Sequence, residues 1–196
     1  FFSNAVDVET KGIDVVVSHS LQADKFTLNN DFAFNLTQTR KVGDIHTPRA
    51  IKAAGLEEKF FSERSRVLLE EVIPRFKATL SHNLTIGKWN GYLRNTYYGK
   101  ATGPDVIAAD KRIGDFVFDE RGHLVIRSKV ITALSVAYNF TPKTSLTLGV
   151  NNLFDLYPEK NVKANNNNDQ FVYSRATSQF GLNGRYVFLR ATFNVF

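Results

Sequence analysis

Side chains suited to acid–base or metal chemistry are few in this chain and lie far apart. The four histidines, His19, His46, His82 and His123, lack the short spacings of a metal-ligand set. His19 and His82 fall on the apolar parity of their segments, which reads as an interface position near a rim. His123 falls in a loop hairpin. The pair Glu70-Glu71 follows an apolar run and reads as the solvated edge of a loop helix. Oxygen donors crowd into Asn165 to Asp169, but the fixed glycine and ligand spacing of a calcium loop are missing, so a hydrated loop tip is expected. No glycine-rich phosphate loop follows a strand, and no serine elbow is present. With no cysteine, disulfides and thiolate ligands are ruled out. These observations predict no enzyme, no cofactor and no metal.

The elements that would position any site are strands. From Arg75 to Ile86, Phe76, Ala78, Leu80, Leu84 and Ile86 occupy one parity, and Arg75, Lys77, Thr79, Ser81, Asn83 and Thr85 the other. Successive side chains of a strand point to opposite faces, so such a segment has one apolar and one polar face. The same two-residue beat predicts strands over Thr10–Leu21, Lys25–Thr39, Trp89–Lys100, Val130–Phe140, Ser145–Leu153 and Gly184–Phe196. Between the second and third strands, Thr47-Pro48 is expected to start a short helix that Gly55 ends, with a further turn or two of helix from Ser62 to Glu71. A hairpin with arms Asp115–Asp119 and His123–Arg127 is expected inside the Ala101–Ser128 connection.

The connections alternate. Short turns follow Leu21, where Gln22-Ala23-Asp24 forms the turn, and also Ile86 and Phe140. Long loops follow Thr39, Lys100 and Leu153. Putting every long loop at one end is the signature of a bacterial outer-membrane barrel with short periplasmic turns. An up-and-down soluble barrel or sandwich has no reason to do so. In that orientation Phe26, Trp89, Tyr138 and Phe140 lie near the short-turn end, where an interfacial aromatic girdle belongs. The competing explanation is that aromatics simply favour strands.

Composition agrees with a wall between lipid and water. The 196 residues carry a net charge of +6 with no basic run and no aromatic RNA-binding signature, so nucleic acid is not an expected partner. A mean hydropathy of −0.23 suits a sheet with one apolar and one wet face. No stretch reaches the roughly 18 to 20 apolar residues of a membrane helix, whereas spanning strands need only about 9 to 11. Opening on Phe1 and lacking methionine, the chain is expected to be a mature form or a piece of something longer.

Val150-Asn151-Asn152-Leu153-Phe154-Asp155 with Tyr157-Pro158, followed by Phe180-Gly181-Leu182-Asn183-Gly184-Arg185-Tyr186, resembles the C-terminal end of TonB-dependent outer-membrane receptors. Asn4-Ala5 with Glu9-Thr10-Lys11-Gly12-Ile13-Asp14 resembles a mid-barrel motif of the same family. The resemblance implies an all-β, antiparallel transmembrane barrel, of which residues 1–196 supply the C-terminal portion, about seven of roughly 22 strands, without the plug domain. It implies import of a scarce nutrient (ferric siderophore, haem or cobalamin) through the outer membrane of a Gram-negative bacterium, driven by a TonB complex acting on the plug. The partners implied are the lipid bilayer, the rest of the barrel with its plug, the barrel-assembly machinery and the small nutrient ligand.

Ligand binding would then use the loops and upper lumen. Tyr92, Arg94, Tyr98 and Lys100, nearing the long-loop end, would meet an anionic or aromatic ligand, unless Arg94 pairs with plug or lumen carboxylates. Tyr186, Phe188, Phe193 and Phe196 would form the C-terminal assembly signal. Phe196, however, is out of phase with the apolar row Val187, Leu189, Ala191, Phe193 and Val195. The alternatives are a structural or adhesion barrel without an import role, and a soluble β-rich binding domain.

Overall fold

Alternating residues build a sheet whose two sides differ in chemistry from the first strand to the last. The computed structural model describes residues 5–112, 114–163, 170–174 and 179–194. The strands are β1 (Asp7–Ala23), β2 (Phe26–Val42), β3 (Phe76–Ile86), β4 (Trp89–Tyr98), β5 (Ala101–Val106), β6 (His123–Ile126), β7 (Lys129–Thr141), β8 (Thr144–Asn151) and β9 (Tyr186–Phe193). Short helices α1 (Arg49–Ala53), α2 (Glu57–Phe60) and α3 (Glu63–Glu70) lie between β2 and β3. Asn4, the Asn165–Asp169 run, Val195 and Phe196 lie outside the described residues.

Seven strands form one open antiparallel sheet in the order β1-β2-β3-β4-β7-β8-β9, and β5 pairs with β6 in a separate two-stranded sheet. The protein is thus mostly antiparallel sheet, in the form of part of a barrel wall. Register locks the two faces together. On one face Val17 stands opposite Phe32, and Phe32 opposite Leu80. Farther along, Gly91 pairs with Val136, Val136 with Leu148, and Leu148 with Leu189. A slip of one residue would turn any of these rows over to the polar side. No second layer covers this face: Val17, Leu148 and Leu189 are 54%, 58% and 68% exposed.

The opposite face is knitted by polar bonds between strands. Ser18 donates to Asp31 (2.6 Å), Asn35 to Asp14 (2.6 Å), Asn90 to Asn83 (2.7 Å) and the Tyr92 hydroxyl to Ser81 (3.3 Å).

Short and long connections alternate as the spacing predicts. Two residues join each of β1–β2, β3–β4 and β7–β8, and the three long connections follow β2, β4 and β8. The first hairpin turns at Asp24-Lys25 rather than over Gln22-Ala23-Asp24, because Gln22 and Ala23 still pair with Thr27 and Phe26. At the second, Gly87 supplies a φ of +56°, which costs a glycine little. Helix α1 begins after Pro48, which stands at the N-cap where Thr47 was expected, with no side-chain cap. Gly55, at φ +65°, ends it. Ser62 caps α3, accepting from the Ser65 N–H at 3.3 Å.

The core proper sits at the long-loop end. Ala101, Leu124 and Ile126 are buried together, with Phe116 and Phe118 packed on them. Val67 of α3, Ile107 and His123 are also fully enclosed. The expected Asp115–Asp119 arm is reduced to a single bridge, Phe118 with Leu124. The main partner of β6 is β5, an unpredicted strand. Its Gly103 lies close against the Leu124 carbonyl, and Pro104 is buried.

Candidate functional site

The polar face carries one groove in which cations and aromatic rings converge. On β4, Tyr92, Arg94 and Tyr98 share the polar parity, with the nearly buried Thr96 between them. Strands β7 and β8 lay a floor of small residues beside them, Ala133, Ser135 and Gly149. The far wall is Tyr186, Phe188 and Arg190 of β9. Gly149 leaves room for the Phe188 ring lying across it, which a Cβ at that position would push aside. Phe188 stacks near Tyr186, with centroids 6.2 Å apart, and the Arg190 guanidinium lies 5.5 Å from the Phe188 ring centre.

The groove encloses about 580 Å³. It continues toward the long-loop end past Thr96, Tyr98 and Phe180. The Arg94 and Arg190 side chains both line the groove, and the contact shown for Arg190 is with the Phe188 ring. Across β7 and β8, Tyr92 lies level with Phe188 and Asn90 with Arg190, so Arg190 sits diagonally across the floor from Arg94.

The expected cluster is therefore brought together in part. Tyr92, Arg94 and Tyr98 line one groove, while the Lys77 ammonium sits 5.3 Å from the Tyr98 ring centre. Lys100 stands apart. Beyond the buried Gly99 it lines a separate cavity of about 580 Å³ with Glu71, Arg75 and Arg121. The β9 wall was visible in sequence as the alternation of Tyr186, Phe188 and Arg190, but its place opposite Arg94 depends on pairing across β7 and β8.

The segment after β8 positions that wall. Asn152 takes a left-handed φ of 51° and is buried, its amide donating to the Leu156 carbonyl (2.7 Å) and accepting the Leu156 N–H (2.9 Å). Asp155, at φ 57°, accepts the Arg185 N–H at 2.7 Å, directly before β9. The Asp155 carboxylate also raises the Tyr157 hydroxyl above its ordinary pKa. A Cβ on Gly184 would strike Tyr157 and Asp155. The Asn-Asn-Leu-Phe-Asp and Gly-Arg-Tyr segments are thus two halves of one clasp holding β8 and β9 together at the groove. Phe180 closes the groove's loop end by packing on Tyr98, centroids 5.6 Å apart, while the Gln179 amide donates to the Gly99 carbonyl.

The loop end is an ion-paired cap. Arg121 reaches Asp119 (2.6 Å), Glu71 (2.7 Å) and Glu63 (3.1 Å), and Arg66 reaches Glu63 (2.5 Å) and Glu70 (3.3 Å). Glu70 also accepts the Lys41 N–H at 2.8 Å. Glu70 and Glu71 are therefore struts between α3, β2 and the β6 turn, and the expectation of a solvated edge is corrected. The hydrogen bond from Arg121 holds the Glu71 carboxyl below its usual range, and that from Arg66 does the same for Glu63. Burial pushes Asp119 up, but the His123 N–H and Arg121 outweigh it and its pKa is lowered. His123 is fully buried in β6, its ring Nδ1 3.1 Å from the Gly103 carbonyl.

The expected girdle residues fall on the apolar face at the short-turn end. Trp89 and Tyr138 rings lie 4.7 Å apart, Tyr138 and Phe140 5.0 Å, and Phe26 begins β2 opposite Ala23. Of the four proposed assembly residues, Phe193 is on the apolar face and Tyr186 and Phe188 are on the polar face, in the groove; Phe196 is outside the described residues.

No family model and no curated protein matches this chain. Among solved structures, it resembles a chain in the structure of the FpvAI–pyocin S2 complex. The TM-score is 0.51, with 15% sequence identity over 95% of this chain and 19% of that one. The chain thus spans about a fifth of the length of its structural neighbour. The likeness is one of fold: an antiparallel, barrel-like sheet shared at low sequence identity.

Proposed function

We propose that this chain is a stretch of wall in an outer-membrane receptor barrel that binds a scarce nutrient and imports it with TonB-supplied energy. Ferric siderophores, haem and cobalamin are the ligand classes concerned, and the ligand leaves chemically unchanged. The observation that carries the reading is the uncovered apolar face spanning all seven strands. In water such a surface would far exceed the few hundred Å² of contiguous apolar patch that monomeric proteins expose; against hydrocarbon it needs no cover. The alternation of short turns and long loops supports the same reading, as does the barrel-like fold shared with the FpvAI–pyocin S2 complex. Strands β1 and β9 are each paired on one side only among the described residues. Lipid does not tolerate such open edges, so further strands complete the wall.

On this reading the polar face lines the lumen. The groove between β4 and β9 offers the ligand Arg94 and Arg190 for charge, with Tyr92, Tyr186 and Phe188 for stacking. The capped loop end guards the approach. Cells lacking the protein should lose uptake of one labelled nutrient among ferric chelates, haem and cobalamin. Cells that keep the protein but lack TonB should show the same loss. Unchanged uptake of all three classes in the deletion strain would overturn the import reading.

A further inference from the structure

The apolar face ends in aromatic rings beside a charged cavity. Strand β3 places Phe76 ten residues from Ile86, which precedes the short turn. Ten steps at about 3.3 Å and a strand tilt near 40° amount to roughly 25 Å, the height of the apolar band in a spanning wall. Phe76 therefore stands at the interface opposite the expected girdle, and a second aromatic group gathers there. The Phe76 ring centre lies 4.9 Å from that of Phe34 on β2 and 5.3 Å from that of Tyr97 on β4, both edge-on. All three rings belong to the apolar face. Aromatic girdles at both interfaces are what a spanning wall carries.

Phe76 and Tyr97 also line a cavity of about 580 Å³, with the exposed Ile73 beside them. On its cap side the cavity meets Thr102 of β5 and Val125 of β6. These two are register partners, and their strand neighbours Ala101, Leu124 and Ile126 turn the other way into the core. Three cations line the cavity, Arg75, Lys100 and Arg121, against two carboxylates, Glu71 and Asp119. Arg121 takes both carboxylates, at 2.7 and 2.6 Å. Arg75 and Lys100, both exposed, are the cations those carboxylates do not engage. The wall is thus one positive charge in excess.

An uncovered apolar face that runs up into a cavity with one surplus positive charge fits an amphiphile with one negative charge. We propose that this cavity holds the phosphate headgroup of an anionic lipid from the leaflet on the long-loop side, with the lipid's chains lying on the apolar face over Phe76 and Tyr97. The planar fork of Arg75 suits a pair of phosphate oxygens, and Lys100 supplies a point charge. The chains need the apolar face and the headgroup needs the cations, so a free phosphate ion meets only half of the site. The inference rests on the membrane-wall reading proposed above.

The test titrates the native protein in neutral detergent micelles with phosphatidylglycerol, counting bound lipid by native mass spectrometry. Arg75→Gln and Lys100→Gln should each raise the apparent Kd about 5-fold, the weight of one cation beside an anionic lipid. Either variant decides the matter if the other does not fold. Phosphatidylcholine with the same chains, which carries no net charge, should bind the wild type and both variants alike. Inorganic phosphate at matched concentration should displace no phosphatidylglycerol. Leu148→Cys, far from the cavity, should be shielded from a water-soluble maleimide in intact outer membranes. With Leu148→Cys shielded, an unchanged Kd in the variants, or an equal weakening for both lipids, would overturn the headgroup site alone. Displacement by inorganic phosphate would make it a free-anion site and overturn the lipid as its occupant. Free labelling of Leu148→Cys would overturn the membrane reading and the headgroup site with it.

Discussion

Replacing Leu148 by lysine separates hydrocarbon from water as the medium against the apolar face. Leu148 is 58% exposed and lies between Val136 and Leu189 in the register, both also exposed. It stands five residues from the turn at Pro142-Lys143, which at about 3.3 Å per residue and a strand tilt near 40° places it about 13 Å deep in a spanning wall. If water bathed this face, a lysine there would shift stability by no more than about 0.5 kcal/mol. Near the midplane of a bilayer the cost is about 2 to 4 kcal/mol. At 1.36 kcal/mol per factor of ten, that is roughly a 30- to 900-fold loss in the folding equilibrium. The assay is reversible urea unfolding of the native protein in phospholipid vesicles, followed by tryptophan fluorescence. Ser145→Lys, on the polar face of the same strand, is the paired control and should cost under about 0.5 kcal/mol. Equal, small effects for both lysines would refute the reasoning.

The clasp and the cap make further predictions. Asn152→Ala removes both bonds to Leu156 and should cost about 1 to 3 kcal/mol, seen as faster proteolysis after β8. Gly184→Ala would displace the ends of the exposed Tyr157 and Asp155 side chains and should cost under about 1 kcal/mol, read by the same urea unfolding. The cap should be acid-labile in a defined window. Glu63, Glu71 and Asp119 have folded pKa values below their ordinary 4.5, 4.5 and 3.8, so their contribution is complete above those values and disappears as pH falls through the lower folded ones. Protease resistance of the α3–β6 region should hold from pH 7 to 5, fall below about pH 4, and lose much of that acid step in Arg121→Ala. Arg94→Glu should cut uptake of an anionic nutrient at least about tenfold while the amount of folded protein in the membrane stays constant.

Strand existence and facing were legible because each strand repeats one decision, apolar or polar, at every second residue, and three short turns tie neighbours together locally. What escaped required distant pairing. Ala101–Val106 holds a glycine and a proline and has no alternation, so its pairing with His123–Ile126 shows only when the two are brought together. Glu71 reads as solvent-facing until Arg121 arrives from the turn before β6, and Glu70 until it accepts the Lys41 N–H of β2; its Arg66 partner is one turn away on the same helix. Tyr92, Arg94 and Tyr98 were visible as one face of one strand. Their counterpart Arg190 lies three strands away in the sheet, and Lys100 drops out because the chain leaves the sheet at Gly99.

A spin-label scan along Phe76–Ile86 in native membranes probes most directly what the apolar face touches. Labels at Ala78, Leu80 and Leu84 should collide readily with oxygen and poorly with a water-soluble nickel chelate, and labels at Lys77, Thr79, Ser81 and Asn83 the reverse. A two-residue oscillation of that sign is the expected result. Equal access of the nickel chelate to both sets, or protection of the Ala78–Leu84 set from both reagents, would contradict a wall with one side in lipid.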